Sequence, residues 1–231
     1  MKMLDVNGKI IVPKNIAQNK LLNIKRLGGI VEFYGKDCIE SEFRAKQISK
    51  EIGSTYISPY NDPEIITGQG TIGIELDNQL NNIDEVFVSV GGGGLISGIG
   101  GYLNQVQPEA KIVACSPKNS CVMYESLNAG RILDLPSKQT LSDGTAGGVE
   151  EGSITYDICK KVIDDFVLVT EREISLGIKK AINDDHQLIE GSAGTAIAAF
   201  IKRKKILTGK RVVIIICGGN INSATLKKAI S

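Results

Sequence analysis

The chain has 231 residues, 42% of them hydrophobic, and its 27 Lys and Arg against 26 Asp and Glu leave a formal charge of +1. This length admits one large α/β domain or two smaller ones with a sizeable core, and the balanced, scattered charge argues against a nucleic-acid or anionic-membrane partner. No apolar run approaches the ~18 residues of a membrane span, residues 1–6 lack a signal-peptide core, and the five dispersed cysteines contain no Cys-x-x-Cys. A cytoplasmic protein without a disulfide framework or a zinc site is expected.

In chain order, Lys9-Ile-Ile-Val12 reads as a short strand, followed by a helix over 15–27 that Gly28-Gly29 ends. A strand over 30–34, a helix over 37–51 with apolar residues at Ile39, Phe43, Ala45 and Ile48, and a strand over 55–57 complete a β-α-β-α-β run. Such alternation implies parallel strands joined by right-handed crossovers, with helices covering the sheet. The loop 58–63 interrupts the rhythm, so the expected organisation is a small α/β domain over 1–60 and a larger one over 61–231.

The second region opens with a helix over 64–80, in which Gly68 and Gly70 permit close packing. Glu85-Val-Phe-Val-Ser-Val90 then fits a fully buried parallel strand, Gly91-Gly-Gly-Gly94 a turn, and 95–106 a helix packed back on the strand. Successive side-chain-free residues at a helix N-terminus let backbone amides point into one concavity, where the helix dipole favours a phosphate. On this reading a valine at Gly92 would put a Cβ where the backbone must approach the anion. The dinucleotide fingerprint fails, because Ile96 and Ser97 stand where its third glycine belongs. A P-loop fails too, since no Gly-Lys pair is followed by Ser or Thr; Gly209-Lys210, for example, is followed by Arg211 and precedes a strand.

Further along come a strand over 111–115, a helix over 121–129, a long irregular segment over 130–152, a helix over 154–163 and a strand over 166–169. Helices over 171–184 and 192–204 follow; Lys202-Arg-Lys-Lys205 offsets the dipole at the end of the second. A buried strand over 211–217 ends in Gly218-Gly-Asn220, and a helix from Asn222 closes the chain. Ligands of open α/β sheets sit outside the carboxyl ends of the strands. If the strands over 85–90 and 211–217 are neighbours, both glycine loops face one crevice, which the segments around Asp143 and Glu190 are free to join. Taken alone, Cys217 reads as a small core residue, Glu190 as a helix cap, Asp143 as turn chemistry, and the lone His186 as a helix-surface residue.

Four stretches in this order resemble one family: Pro59-Tyr-Asn-Asp-Pro63 with Gly68-Gln-Gly-Thr71, Ser89-Val-Gly-Gly-Gly-Gly-Leu95, Leu188-Ile-Glu-Gly-Ser-Ala-Gly194, and Cys217-Gly-Gly-Asn220. The family is the pyridoxal-phosphate enzymes of the tryptophan-synthase-β type (fold type II), and within it the serine/threonine dehydratases and serine racemases. The resemblance implies that Gly91, Gly92, Gly93, Gly94 and Leu95 hold the phosphate of pyridoxal 5'-phosphate through their amides. It further implies that Cys217 lies at the pyridine nitrogen and that Asp143 and Glu190 border the pocket of a small hydroxy amino acid. A thiol is a weak neutral donor that does not keep the ring nitrogen protonated, which suits elimination better than transamination.

The family's Schiff-base lysine and its serine- and asparagine-containing loop have no counterpart here, so no catalytic residue is assigned and the chain is expected to lack an N-terminal portion. It is then a fragment, one half of a split enzyme completed by an N-terminal polypeptide, or a decayed paralogue; a homodimer is the other partner considered. The carboxylate positions of the family's divalent-cation site correspond to Ser116 and Val122, so no metal is expected there. No regulatory region is expected after the last helix, and with it no isoleucine response. Two functions remain: a threonine/serine ammonia-lyase giving a 2-oxo acid and ammonia, or a non-catalytic cofactor- or anion-binding module.

Overall fold

A computed structural model describes residues 5–231, and the first four residues of the stretch read for a signal peptide lie outside it. The chain divides into two compact units, one ending at Ser58 and one spanning Pro59–Ser231. In the first, strand β1 (Lys9–Val12) leads through helix α1 (Gln18–Arg26) to strand β2 (Ile30–Phe33) and helix α2 (Cys38–Ile52). The strands pair in parallel, with Lys9 opposite Ile30 and Val12 opposite Phe33. Asp37 caps α2 through the Ile39 amide, and Gly53 ends it in the left-handed region at φ 65°.

One expectation fails in this unit. Residues 55–57 form no strand, because apolar alternation does not supply the ladder partner on which a strand depends. Phe43, one of the apolar residues of α2, is 52% exposed.

The second unit is a parallel sheet covered on both faces. Helix α3 (Pro63–Gln79) precedes β3 (Glu85–Ser89), α4 (Gly94–Val106), β4 (Lys111–Pro117), α5 (Val122–Ala129) and α6 (Ile154–Val162). Strand β5 (Asp165–Val169), helices α7 (Glu171–Asp185) and α8 (Gly191–Arg203), strand β6 (Val212–Ile214) and α9 (Ser223–Ile230) follow. The order across the sheet is β5-β4-β3-β6, all parallel. Side chains alternate: Val86, Val88, Ile112 and Ala114 join the core beneath α3 to α6, whereas Phe87, Val113 and Cys115 join the core beneath α7 to α9.

The basic cluster at the end of α8 is tied into the scaffold. Arg203 bonds Asp165 at 2.6 Å and lies 3.6 Å from the buried Glu85, while Lys202 bonds Glu173 at 3.3 Å. The strand expected to be buried over 211–217 is shorter and half-exposed: β6 has a neighbour on one side only, and Ile216 is 50% exposed. Its apolar sequence reads as a central strand, and its edge position is what exposes it. His186 closes α7 in the left-handed region at φ 54° and is exposed.

Candidate cofactor site

The turn from β3 into α4 is made of Gly91, Gly92, Gly93 and Gly94, and the protein packs against it from several directions. A Cβ on Gly91 would lie 2.7 Å from the Thr145 carbonyl oxygen, one on Gly92 2.5 Å from Tyr60 Cδ1, one on Gly93 2.8 Å from Cys159 Sγ, and one on Gly94 3.0 Å from Tyr60 Cβ. Gly93 also has φ 88°, which a larger residue adopts only with strain. What a side chain on Gly92 meets is thus the Tyr60 ring on the protein side of the loop. The reading that it would meet the anion is corrected accordingly.

The loop carbonyls are held on one side. Thr155 Oγ1, buried at the start of α6, donates to the Gly92 oxygen at 2.6 Å. The Gly93 oxygen accepts from the Ser97 amide at 3.0 Å and lies 3.9 Å from Cys159 Sγ. In a trans peptide the N–H points opposite to the C=O, so the amides of Gly93 and Gly94 face away from α6. Val90 donates to the Cys115 oxygen at 2.8 Å, but among the described residues no acceptor takes the amides from Gly91 to Ile96. A row of free donors at the N-terminus of a 13-residue helix is a donor set that fits a phosphate.

Strand β6 is the neighbour of β3, as the common crevice requires. The register pairs Phe87 with Ile214, and the Ile215 amide continues it by donating to the Phe87 oxygen at 3.0 Å. The ladder ends there, and Cys217, beyond it, lies near enough to Cys115 of β4 and to Glu190 for their charges to act on one another. Cys217 is solvent-reachable, yet crowding by the protein, followed by the charge of Glu190, pushes its thiol up to about 11. The buried Cys159 is pushed up to about 12 by desolvation, with Ser97 opposing, so it serves as a packing group.

Glu190, at the cap of α8, is fixed from both ends. Its amide donates to the Gly218 oxygen at 3.0 Å, and its Oε2 accepts from the Asn220 amide at 3.2 Å. A Cβ on Gly218 would lie 2.7 Å from Glu190 Oε1, and one on Gly144 3.1 Å from the same atom. Asp143 begins the short 3-10 turn Asp143–Thr145 and is exposed. That turn touches Glu190 through Gly144 and Gly91 through Thr145. Ser192 is 2% exposed, and its Oγ has no hydrogen-bond partner among the described residues; its carbonyl accepts from Ser89 Oγ at 2.6 Å.

The glycine loop, Glu190 and the Gly144 turn therefore meet at the carboxyl ends of β3 and β6, with Cys217 at the same strand end. Sequence reading missed Thr145, Thr155 and Cys159, and gave Tyr60 no role beyond its motif. For Thr155 the only local signal was a helix start near 154. Among the described residues no group of three or more His, Cys, Asp or Glu is gathered for a metal, and Ser116 Oγ donates to the Val90 oxygen at 2.8 Å.

A parallel, helix-covered sheet with a glycine loop of unbonded amides at its strand ends defines a class, and comparison with known proteins identifies which. The family described as "Pyridoxal-phosphate dependent enzyme" matches residues 2–218. The chain belongs to this family. It is 36% identical over 228 residues to the biosynthetic, chloroplastic threonine dehydratase 2 of Solanum lycopersicum, covering 97% of this chain and 38% of that protein. With the L-threonine ammonia-lyase of Thermotoga maritima it shares 33% identity over 230 residues, 100% of this chain and 57% of the relative. Among solved structures, the processed threonine deaminase isoform 2 of Solanum lycopersicum matches with TM-score 0.87 at 35% identity, over 99% of this chain and 67% of that one. Maize serine racemase matches with TM-score 0.88 at 28% identity, over 99% and 70%. The chain thus spans roughly two-fifths to three-fifths of the curated relatives named here. The expected α/β fold with parallel, helix-covered sheets, the fold-type-II resemblance and the pyridoxal 5'-phosphate cofactor agree with these findings.

Proposed function

We propose that this chain provides the cofactor-binding portion of a pyridoxal-phosphate-dependent threonine/serine ammonia-lyase. The small hydroxy amino acid would lose its β-hydroxyl and its amine, giving a 2-oxo acid and ammonia. The observation that carries the reading is the row of amides from Gly91 to Ile96 without protein acceptors, at the end of the strand next to β6. The similarity to a threonine dehydratase and an L-threonine ammonia-lyase supports the reaction class.

In this reading the amides of Gly91, Gly92, Gly93, Gly94 and Leu95 bind the cofactor phosphate. When bound, the cofactor supplies an electron sink for charge left at the substrate α-carbon. Cys217 would serve the ring nitrogen; with its thiol pushed up to about 11 it stays protonated at neutral pH and would offer only a weak neutral donor. Such a partner does not hold a proton on the ring, which favours a reaction whose charge departs with the β-hydroxyl. Burial first and the charge of Glu190 second hold the proton on the thiol, and Glu190, anchored by the Asn220 amide, borders the substrate pocket with the Asp143 turn.

The lysine that carries the cofactor and moves the α-proton is not among the residues assigned here. A complementary polypeptide or a further segment of a longer chain supplies it, in a homodimer or in a complex with that polypeptide. Five dispersed cysteines with no Cys-x-x-Cys suit a reducing compartment such as the cytoplasm, and no helix among the described residues is long and apolar enough to cross a membrane.

Absorbance titration with pyridoxal 5'-phosphate, competition by inorganic phosphate, borohydride trapping with peptide mapping, and a 2-oxo acid assay on threonine and serine test the reading together. Competitive binding without turnover by the chain alone is expected, with activity appearing when the lysine-bearing segment is added. Failure of phosphate to compete would refute the cradle. A trapped lysine within residues 1–231, with turnover by the chain alone, would refute the assignment of the lysine elsewhere.

A further inference from the structure

The Tyr60 ring is 8% exposed and fills the space that a Cβ on Gly92 or Gly94 would need. Its hydroxyl accepts from the Glu150 amide at 2.8 Å. Asn61 extends the connection: Nδ2 donates to Glu150 Oε2 at 2.6 Å, and Oδ1 accepts from the Ile154 amide at 3.0 Å. Ile154 opens α6, and the next residue, Thr155, holds the Gly92 carbonyl at 2.6 Å. The ring behind the loop and the hydroxyl gripping its carbonyl are thus tied to each other through residues 60 and 61.

We propose that Tyr60 is a positioning residue for the anion cradle. Its ring is the wall on which Gly92 and Gly94 lie, and with Asn61 it fixes the segment from which Thr155 orients the Gly92–Gly93 peptide. Glycine has the largest backbone freedom of any residue, and four in succession lose anion affinity to their own ordering unless something orders them first. A buried aromatic face does so without presenting a charge to the anion. The inference rests on the cofactor reading above and deepens it, by assigning the geometry of the amides to a side chain behind the loop.

A double-mutant cycle on the full chain tests it, with inorganic phosphate and pyridoxal 5'-phosphate titrated calorimetrically into wild type, Tyr60→Ala, Gly92→Ala and the double variant. Tyr60→Ala removes the wall and Gly92→Ala drives a methyl into it, so each is expected to weaken phosphate binding by about tenfold. In the double variant the methyl occupies the vacated space, and the loss stays within about threefold of Tyr60→Ala alone instead of multiplying. Tyr60→Phe, which keeps the ring, is expected to recover most of the affinity that Tyr60→Ala loses. Multiplying losses, or a Tyr60→Phe variant as weak as Tyr60→Ala, would overturn the role of the ring while leaving the cofactor reading intact. A wild-type chain that binds neither probe overturns the cofactor reading, and this inference with it.

Discussion

Replacing Gly98 with alanine puts a methyl group between two helix backbones at their contact. Gly98 is buried in α4, and its added Cβ would meet the Ile66 carbonyl and lie 2.5 Å from the Gly70 amide nitrogen and 2.8 Å from the Gln69 carbonyl carbon, all in α3. None of these is the end of a flexible side chain, so relief requires the helices to part by about 1 Å. Overpacking of this kind costs about 3 kcal/mol at the upper end, and alanine returns about 1 kcal/mol of helix propensity, leaving a net loss of about 2 kcal/mol. For a unit of this size that lowers the melting midpoint by about 4–8 °C. Gly101 is the control three residues on in the same helix: it is exposed, and its Cβ would meet nothing within 4 Å. Gly101→Ala keeps only the propensity term and should raise the midpoint by about 2–4 °C. Circular dichroism melts of the two variants and the parent decide the matter. Shifts of the same sign and similar size would refute the claim that glycine at position 98 exists for α3–α4 contact. Because α4 begins at the glycine loop, the Gly98 variant should also bind phosphate more weakly, and Gly101→Ala should not.

Thr155→Val keeps the shape of the side chain but leaves the Gly92 carbonyl and Ser153 Oγ without the partner they have at 2.6 and 2.7 Å. We expect a loss of about 2 kcal/mol, a midpoint lower by about 4–8 °C, and weaker phosphate binding in a calorimetric titration; an unchanged midpoint and affinity would count against the pinned-carbonyl argument. With its thiol raised to about 11, Cys217 should react with iodoacetamide slowly at neutral pH and roughly tenfold faster per pH unit up to about pH 11. Peptide mapping separates it from the exposed Cys38, and a plateau below pH 9 would contradict the raised value. Glu190→Gln removes the negative neighbour that helps hold the proton on that thiol, so Cys217 alkylation at a fixed pH should quicken. A slower reaction in that variant would show that Glu190 does not act on Cys217 through its charge.

Much of the second unit was legible because each strand and helix carries its own period. The run Glu85 to Val90 is buried on both faces, with Val86 and Val88 turned to one core and Phe87, between the buried Glu85 and Ser89, to the other. Illegible were the features that depend on a partner elsewhere in the chain. Residues 55–57 have strand-like composition but no ladder, and the strand after Arg211 has the composition of a central position but lies at an edge. At the site, the glycine runs could be read from sequence, as could the condition that their strands be neighbours. The approach of Gly144 to Glu190 was implied by the resemblance alone and not by periodicity, because it depends on the path of the irregular segment before α6, which has no period of its own.

Four consecutive glycines admit three physical causes, and sequence does not separate them: room for a ligand, room for the protein, and backbone of positive φ. Here Gly93 answers to φ and to Cys159, Gly92 and Gly94 to Tyr60, and Gly91 to Thr145. Every side of the loop that a Cβ would explore is taken by protein, so what remains for an anion is the face where the amides emerge. The loop is therefore shaped by residues behind it, and substituting any of these glycines disturbs packing whatever the loop binds. A loss of affinity in such a variant carries information about the anion only when the same substitution is compared in the presence and absence of the side chain it collides with. That comparison separates a glycine kept for its ligand from one kept for its neighbour.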